Sequence, residues 1–186
     1  MPEVELVNIA KRFGKVTASA DINLKVGYIR GDLASQQVAD TYQGLIDTIA
    51  EYIESGRFEI IVDDTATWRS ADAMLKTEDW IQAYPELNSI VCQNDEMAIG
   101  AIQAMKAAGI DMATVQVGGV DATQDALAAM QAGDLDVTVF QNAAAQGGGA
   151  LDAAVKLAKG EAVDQKVYVP FELVTPANVA DYASKN

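Results

Sequence analysis

Histidine is absent from this sequence, and cysteine occurs once, at Cys92. The first absence removes the commonest general base and the commonest neutral metal ligand. The second excludes an intramolecular disulfide and any thiolate cluster. Cys92 closes a short apolar stretch and reads as a small buried hydrophobe rather than a nucleophile. Cations are scarce too: 13 Lys plus Arg stand against 27 Asp plus Glu, for a net charge of −14. Nucleic acids and anionic membranes are bound through clustered cations, so neither is an expected partner. No apolar run approaches the roughly 18 residues that span a bilayer, so membrane insertion is not expected. The opening stretch MPEVELVNIAKRFGK is charged throughout and does not read as a secretion signal, which would leave the chain, as expressed, in the cytoplasm. Phosphate motifs are missing as well, with neither G-x-x-x-x-G-K-[ST] nor G-x-G-x-x-G present. QGGGA, at 146–150, lies in a helical stretch without the lysine that a phosphate loop needs. Its glycines let that helix pack closely or flex. No cofactor is implied.

What is present is a regular alternation. In 186 residues, half of them hydrophobic, the chain has enough apolar side chains for one good core. LKVGYIRG (24–31) reads as a strand, followed by a helix from Ala34 to Ser55 with Val38, Tyr42, Leu45, Ile49 and Ile53 along one face. FEIIVDD (58–64) precedes a helix over 70–83. SIVC (89–92) precedes a helix whose apolar positions, Ala98, Ala101, Ile102, Met105 and Ala108, run to a closing Gly109. TVQVGGVD (114–121) leads to a helix over 124–132, and VTVFQN (137–142) to a helix ending at Lys159. KVYVPFELVTP (166–176) is strand-like, with a short helical tail. Strands alternating with helices of this length predict an α/β fold: a doubly wound, mainly parallel sheet with helices on both faces. The first 26 residues break the rhythm. VELVNI and ASADINLKV read as strands with no helix between them, and this stretch carries four Lys or Arg against three Asp or Glu. A boundary is therefore expected after residue 26, dividing a short N-terminal β extension, 1–26, from an α/β lobe, 27–186.

Ligands of such sheets bind beyond the carboxyl ends of the strands. The residues that follow the strands are Asp32, then Asp63 and Asp64 with Trp68 close behind, then Asn94 and Asp95, Asp121, and Gln141 and Asn142. Singly, each polar residue is explained as a helix cap or turn former, and Trp68 is explained equally well as core. As a set they suit a polyhydroxyl ligand. Hydroxyls donate to carboxylates, amides both donate and accept, and an indole stacks on C–H faces. Glu96 serves the positive end of its helix. Asp63 and Asp64 are two adjacent carboxylates without the loop of oxygen ligands that a hard cation needs, so no metal site is expected.

The stretches QNDEMAIGAIQAMKAAGI, VGGVDATQDALAAMQAGDLDVTVFQNAAAQG and AVKLAKGEAV resemble type I periplasmic sugar-binding proteins, the ribose-binding-like solute receptors of ABC importers. The resemblance runs from about residue 27 to residue 182. It implies one of two α/β lobes that close on a sugar at a hinge, here the second lobe alone. It also implies an importer permease as the family's protein partner and a periplasmic setting. Trp68, Asn94, Asp121 and Gln141 fall on the family's ligand-contacting positions; Asp95 is a candidate from its place at the strand end beside Asn94. The arginine that ribose-type members carry at the start of the first helix falls near Ala39, so a polyol or another pentose in place of ribose is implied. Residues 1–26, with VELVNIAKRFGKVTASADINLKV, resemble the opening strands of the importer's ATP-binding subunit, without any nucleotide motif.

Three functions compete. The first is a carbohydrate-binding module that recognises a sugar or polyol at the strand ends. The second is an assembly module whose cleft face or exposed strands are covered in a homo-oligomer, by dimerisation or strand exchange. The third, the effector lobe of a transcriptional regulator, needs a basic face that this chain lacks. Without His or a nucleophile constellation, catalysis is not expected. The first reading accounts for the strand-end set and is the one adopted.

Overall fold

The structure, a computed structural model, describes residues 23–185 and, ahead of them, the backbone of two short antiparallel strands, β1 (Arg12–Phe13) and β2 (Val16–Thr17). The strand expected over residues 4–9 and the first part of ASADINLKV lie outside the described residues. From Leu24 onward, strands and helices alternate as the apolar periodicity predicts: β3 (Leu24–Arg30), α1 (Gln36–Glu54), β4 (Phe58–Thr65), α2 (Ser70–Ala83), β5 (Ser89–Cys92), α3 (Asp95–Ala107), β6 (Gln116–Gly118), α4 (Gln124–Ala132), β7 (Thr138–Phe140) and α5 (Ala143–Ala158).

Strands β4, β3, β5 and β6 pair in that spatial order, all parallel. Isolated parallel bridges, Gly118 to Val137 and Asp121 to Phe140, carry the sheet on to β7. The last strand, β8 (Glu172–Val174), runs antiparallel to β7. β3 sits in the middle and is buried along Val26–Ile29, as expected of a strand covered on both sides. One face of the sheet presents Ile29, Ile90 and Cys92 to a core built with Trp80 of α2, Met97, Ala101 and Met105 of α3, and Leu127 of α4. On the other face Tyr28 meets Tyr42 of α1, ring centroids 5.4 Å apart. Cys92 is buried, and burial pushes its thiol above the usual range, the state of an inert core residue.

One expectation is corrected. Of the strand-like run 166–176, only Glu172–Val174 joins the sheet. Pro170 has no N–H to give a ladder, and Val167, Tyr168 and Phe171 lie exposed, so burial does not hold that stretch extended against a neighbour. The helical tail is a single 3-10 turn, Val179–Tyr182. The glycine-containing run 146–150 is helical, within α5, and no residue of that helix is buried.

Candidate functional site

Every described strand of the parallel set delivers its C-terminal residues to one edge, because parallel strands all end on the same side. At the end of β4 the chain turns through Thr67 and Trp68, both at positive φ (48° and 67°). Thr65 Oγ1 donates to the Gly31 carbonyl, and Ala66 N–H donates to the Arg30 carbonyl at 2.9 Å, so the turn is anchored on the end of β3. The half-buried indole of Trp68 then lies directly on the backbone of Gly31. A Cβ at position 31 would sit 2.1 Å from a ring carbon, so only glycine admits the ring there. Trp68 is thus both packed against the core and partly open at the sheet edge.

Asn94, at the end of β5, caps α3. Its Oδ1 accepts from Met97 N–H at 3.0 Å, while its Nδ2 reaches the Trp68 carbonyl at 3.5 Å. At the end of β6, Asp121 projects from a loop in which it and Ala122 both hold positive φ, 117° and 54°. Left-handed backbone at non-glycine residues costs on the order of 1–3 kcal/mol each and persists only where the surroundings over-determine it. Gln141, past β7, donates from Nε2 to Asp121 Oδ1 at 2.8 Å. Burial pushes the Asp121 carboxyl up to about 6, the charge of Asp95 adds to the rise, and the Gln141 hydrogen bond opposes it. Trp68 is therefore tied to Asn94 across the end of β3, and Asp121 to Gln141, along one edge of the sheet.

Asp95 does not belong with them as a contact group. It is fully buried, with Oδ1 accepting from Thr138 Oγ1 at 2.7 Å and Oδ2 from Thr123 N–H at 2.8 Å. Its side chain is turned into the protein, because the first-turn residue after the cap points back toward the β6–α4 loop. Burial raises its carboxyl to about 6 against the hydrogen bonds from Thr138 and Thr123. The remaining strand-end polar residues have local partners. Asp32 Oδ1 accepts from Ala34 N–H at 2.9 Å, and Asn142 caps α5 by accepting from Ala145 N–H at 2.9 Å. Asp63 pairs with Arg30 at 2.8 Å. Asp64 pairs with Lys76, whose hydrogen bond holds its carboxyl below the usual carboxylate range. Among the described residues no group of three or more acidic, cysteine or histidine side chains converges as a metal site.

Gln93, Thr123 and Thr138 emerge only from the structure. Gln93 is buried, accepts from Gly31 N–H at 3.0 Å and donates to the Val38 carbonyl at 3.0 Å, fixing the loop that leads into α1. The signal for it was a lone amide beside Asn94 at the end of an apolar strand.

Residues 8–162 match the family described as the periplasmic binding protein domain. The match runs back across the boundary expected after residue 26, and the expected resemblance of residues 1–26 to an ATP-binding subunit finds no support in it. A protein of Rhizobium meliloti named for rhizopine binding is 49% identical over 162 residues, covering 87% of this chain and 52% of that protein. A xylitol-binding protein of Mycolicibacterium smegmatis is 31% identical over 152 residues, covering 81% of this chain and 42% of the relative. An ABC transporter solute-binding protein from Bacillus halodurans, solved with bound myo-inositol, aligns with a TM-score of 0.80 and 38% identity over 87% of this chain and 55% of that one. The chain spans about half the length of the curated relatives it matches. Its parallel sheet, its helices on both faces and the matched residues agree: the chain belongs to the periplasmic binding protein domain family.

Proposed function

We propose that this chain binds a sugar or polyol at the carboxyl ends of its parallel strands, as part of a solute receptor for an importer of the ABC class working in the periplasm. The binding unit is residues 27–186, and the contact residues are Trp68, Asn94, Asp121 and Gln141. The observation that carries the reading is the pairing of a half-buried carboxylate, Asp121, with the Gln141 amide, beside an indole held on Gly31. An ionised Asp121 accepts from ligand hydroxyls, Gln141 and Asn94 complement them, and the open face of Trp68 stacks on C–H bonds. Ligands named for the relatives, myo-inositol and xylitol among them, have this chemistry. Ala39 puts no cation at the start of α1, which favours a neutral polyol over an acidic sugar.

The two tryptophans make the test simple, because Trp80 is buried in the core and Trp68 is not. Titrating the protein with myo-inositol and with xylitol should change its tryptophan emission saturably. Trp68→Phe should remove most of that change and weaken binding by about tenfold, in line with about 0.5–1.5 kcal/mol for aromatic contacts. An emission change that survives Trp68→Phe at full size would place the ligand elsewhere.

A second reading, an assembly module, draws on a separate observation. Leu151 and Leu157, on a helix with no buried residue, are 65% and 63% exposed, and Tyr168 is 81% exposed. Apolar side chains so exposed are a feature of association surfaces. Sedimentation equilibrium of the parent and of Leu151→Glu with Leu157→Glu should show a dimer lost in the double variant; a monomer in both would end this reading.

A further inference from the structure

Asp95 is a fully buried carboxylate whose side-chain hydrogen bonds go to Thr123 and Thr138. It begins α3, yet its contacts all lead to the loop at 119–123. Oδ2 accepts from Thr123 N–H at 2.8 Å, and the Asp95 N–H donates to the Val120 carbonyl at 2.8 Å. Oδ1 accepts from Thr138 Oγ1 at 2.7 Å, and Thr138 Oγ1 in turn accepts from Ala122 N–H at 3.2 Å. Asp121 N–H donates to the Val139 carbonyl at 2.8 Å, on the same strand as Thr138. The carboxylate enters over Gly119, where a Cβ would lie 2.3 Å from Oδ1. Thr123 is therefore fastened to the Asp95 carboxylate directly and Ala122 through Thr138, while Val120 is held by the Asp95 backbone N–H. Between those ties lie the two residues, Asp121 and Ala122, that hold positive φ without being glycine.

We propose that Asp95 is a positioning residue: through Thr138 and Thr123 it holds the 120–123 loop in its left-handed geometry, and so presents Asp121 to the polyol. What Asp121 does there rests on the function proposed above; what Asp95 does rests on the loop geometry alone. The relay requires a hydroxyl at position 138, because that group both donates to Asp95 and accepts from Ala122. A β-branched side chain of the same shape cannot substitute for it.

Asp95→Ala is the direct variant, but it opens a buried hole, so the decisive comparison is at Thr138. Amide hydrogen exchange at Ala122 and Thr123 is measured by NMR for the parent, Thr138→Val, Thr138→Ser and Met105→Ala, with calorimetric titration of each by myo-inositol. Met105 is buried near the far end of α3 and serves as the control for lost stability. Thr138→Val should speed exchange at both amides, and weaken binding, by about tenfold or more, while Thr138→Ser restores both to near the parent. Met105→Ala should lower the melting temperature and leave the affinity unchanged. Parent-like exchange in Thr138→Val overturns the proposal, as does a loosened loop with unchanged affinity. If the parent itself fails to bind myo-inositol, the polyol reading falls, and the exchange data still decide whether Asp95 and Thr138 hold the loop.

Discussion

Asp121 and Asp95 titrate in the same direction but act on two observables with opposite signs. Each has its folded-state value raised to about 6 from an ordinary 3.8, first by burial. As pH falls through 6, the fold takes up protons that the unfolded chain does not yet bind, so the stability of the ligand-free protein rises toward pH 4. Protonation of Asp121 removes an acceptor from the site over the same window, so affinity for a polyol falls, by about tenfold between pH 7 and pH 5. Melting curves and titrations at pH 7, 6 and 5 check both signs at once; affinity and stability moving together would show that these carboxyls are not the groups responsible. The same pair shows what the sequence can and cannot display. The placement of Trp68, Asn94, Asp121 and Gln141 at one edge is legible because the strand ends of a parallel sheet share that edge. Which of the adjacent residues Asn94 and Asp95 turns outward is a matter of the first helical turn and of Thr138, 43 residues further on, and no local pattern carries it.

At the scale of elements, the caps separate stability from binding. Asn94, Thr123 and Asn142 each accept a hydrogen bond from the third residue of the helix that follows, whereas α1 and α2 begin without a side-chain cap. Asn94→Ala and Asn142→Ala should each cost about 1 kcal/mol of stability. Asn94→Ala should also weaken polyol binding, because its amide lies beside Trp68. Asn142→Ala should do so less, and chemical denaturation alongside titration reads the difference. Equal effects of the two on affinity would remove Asn94 from the site. Helices α1 to α4 and the central strands follow the apolar periodicity closely, since each buries residues whose spacing is visible in the chain, whereas α5 is helical with no residue buried. The stretch 166–171 does not follow the periodicity, because Val167, Tyr168 and Phe171 look like strand residues but lie exposed. Apolar alternation records a tendency toward strand, not the presence of a neighbour to pair with.

Across the whole molecule, acidity is the setting of the proposed site. The net charge of −14 lies on a chain whose site region offers acceptors, amides and one indole. Recognition of a neutral polyol by such groups should be nearly insensitive to ionic strength, unlike binding through clustered cations. The measurement that bears most directly on the polyol site is a calorimetric titration of the parent chain and of Asp121→Ala with myo-inositol, with the melting temperature of each recorded beside it. The expected result is a saturable heat in the parent and an affinity lower by about ten- to hundredfold in Asp121→Ala, the loss of a hydrogen bond to a charged group, at a melting temperature close to the parent's. Equal affinity in the two proteins, or no heat from the parent at high millimolar myo-inositol, would contradict it.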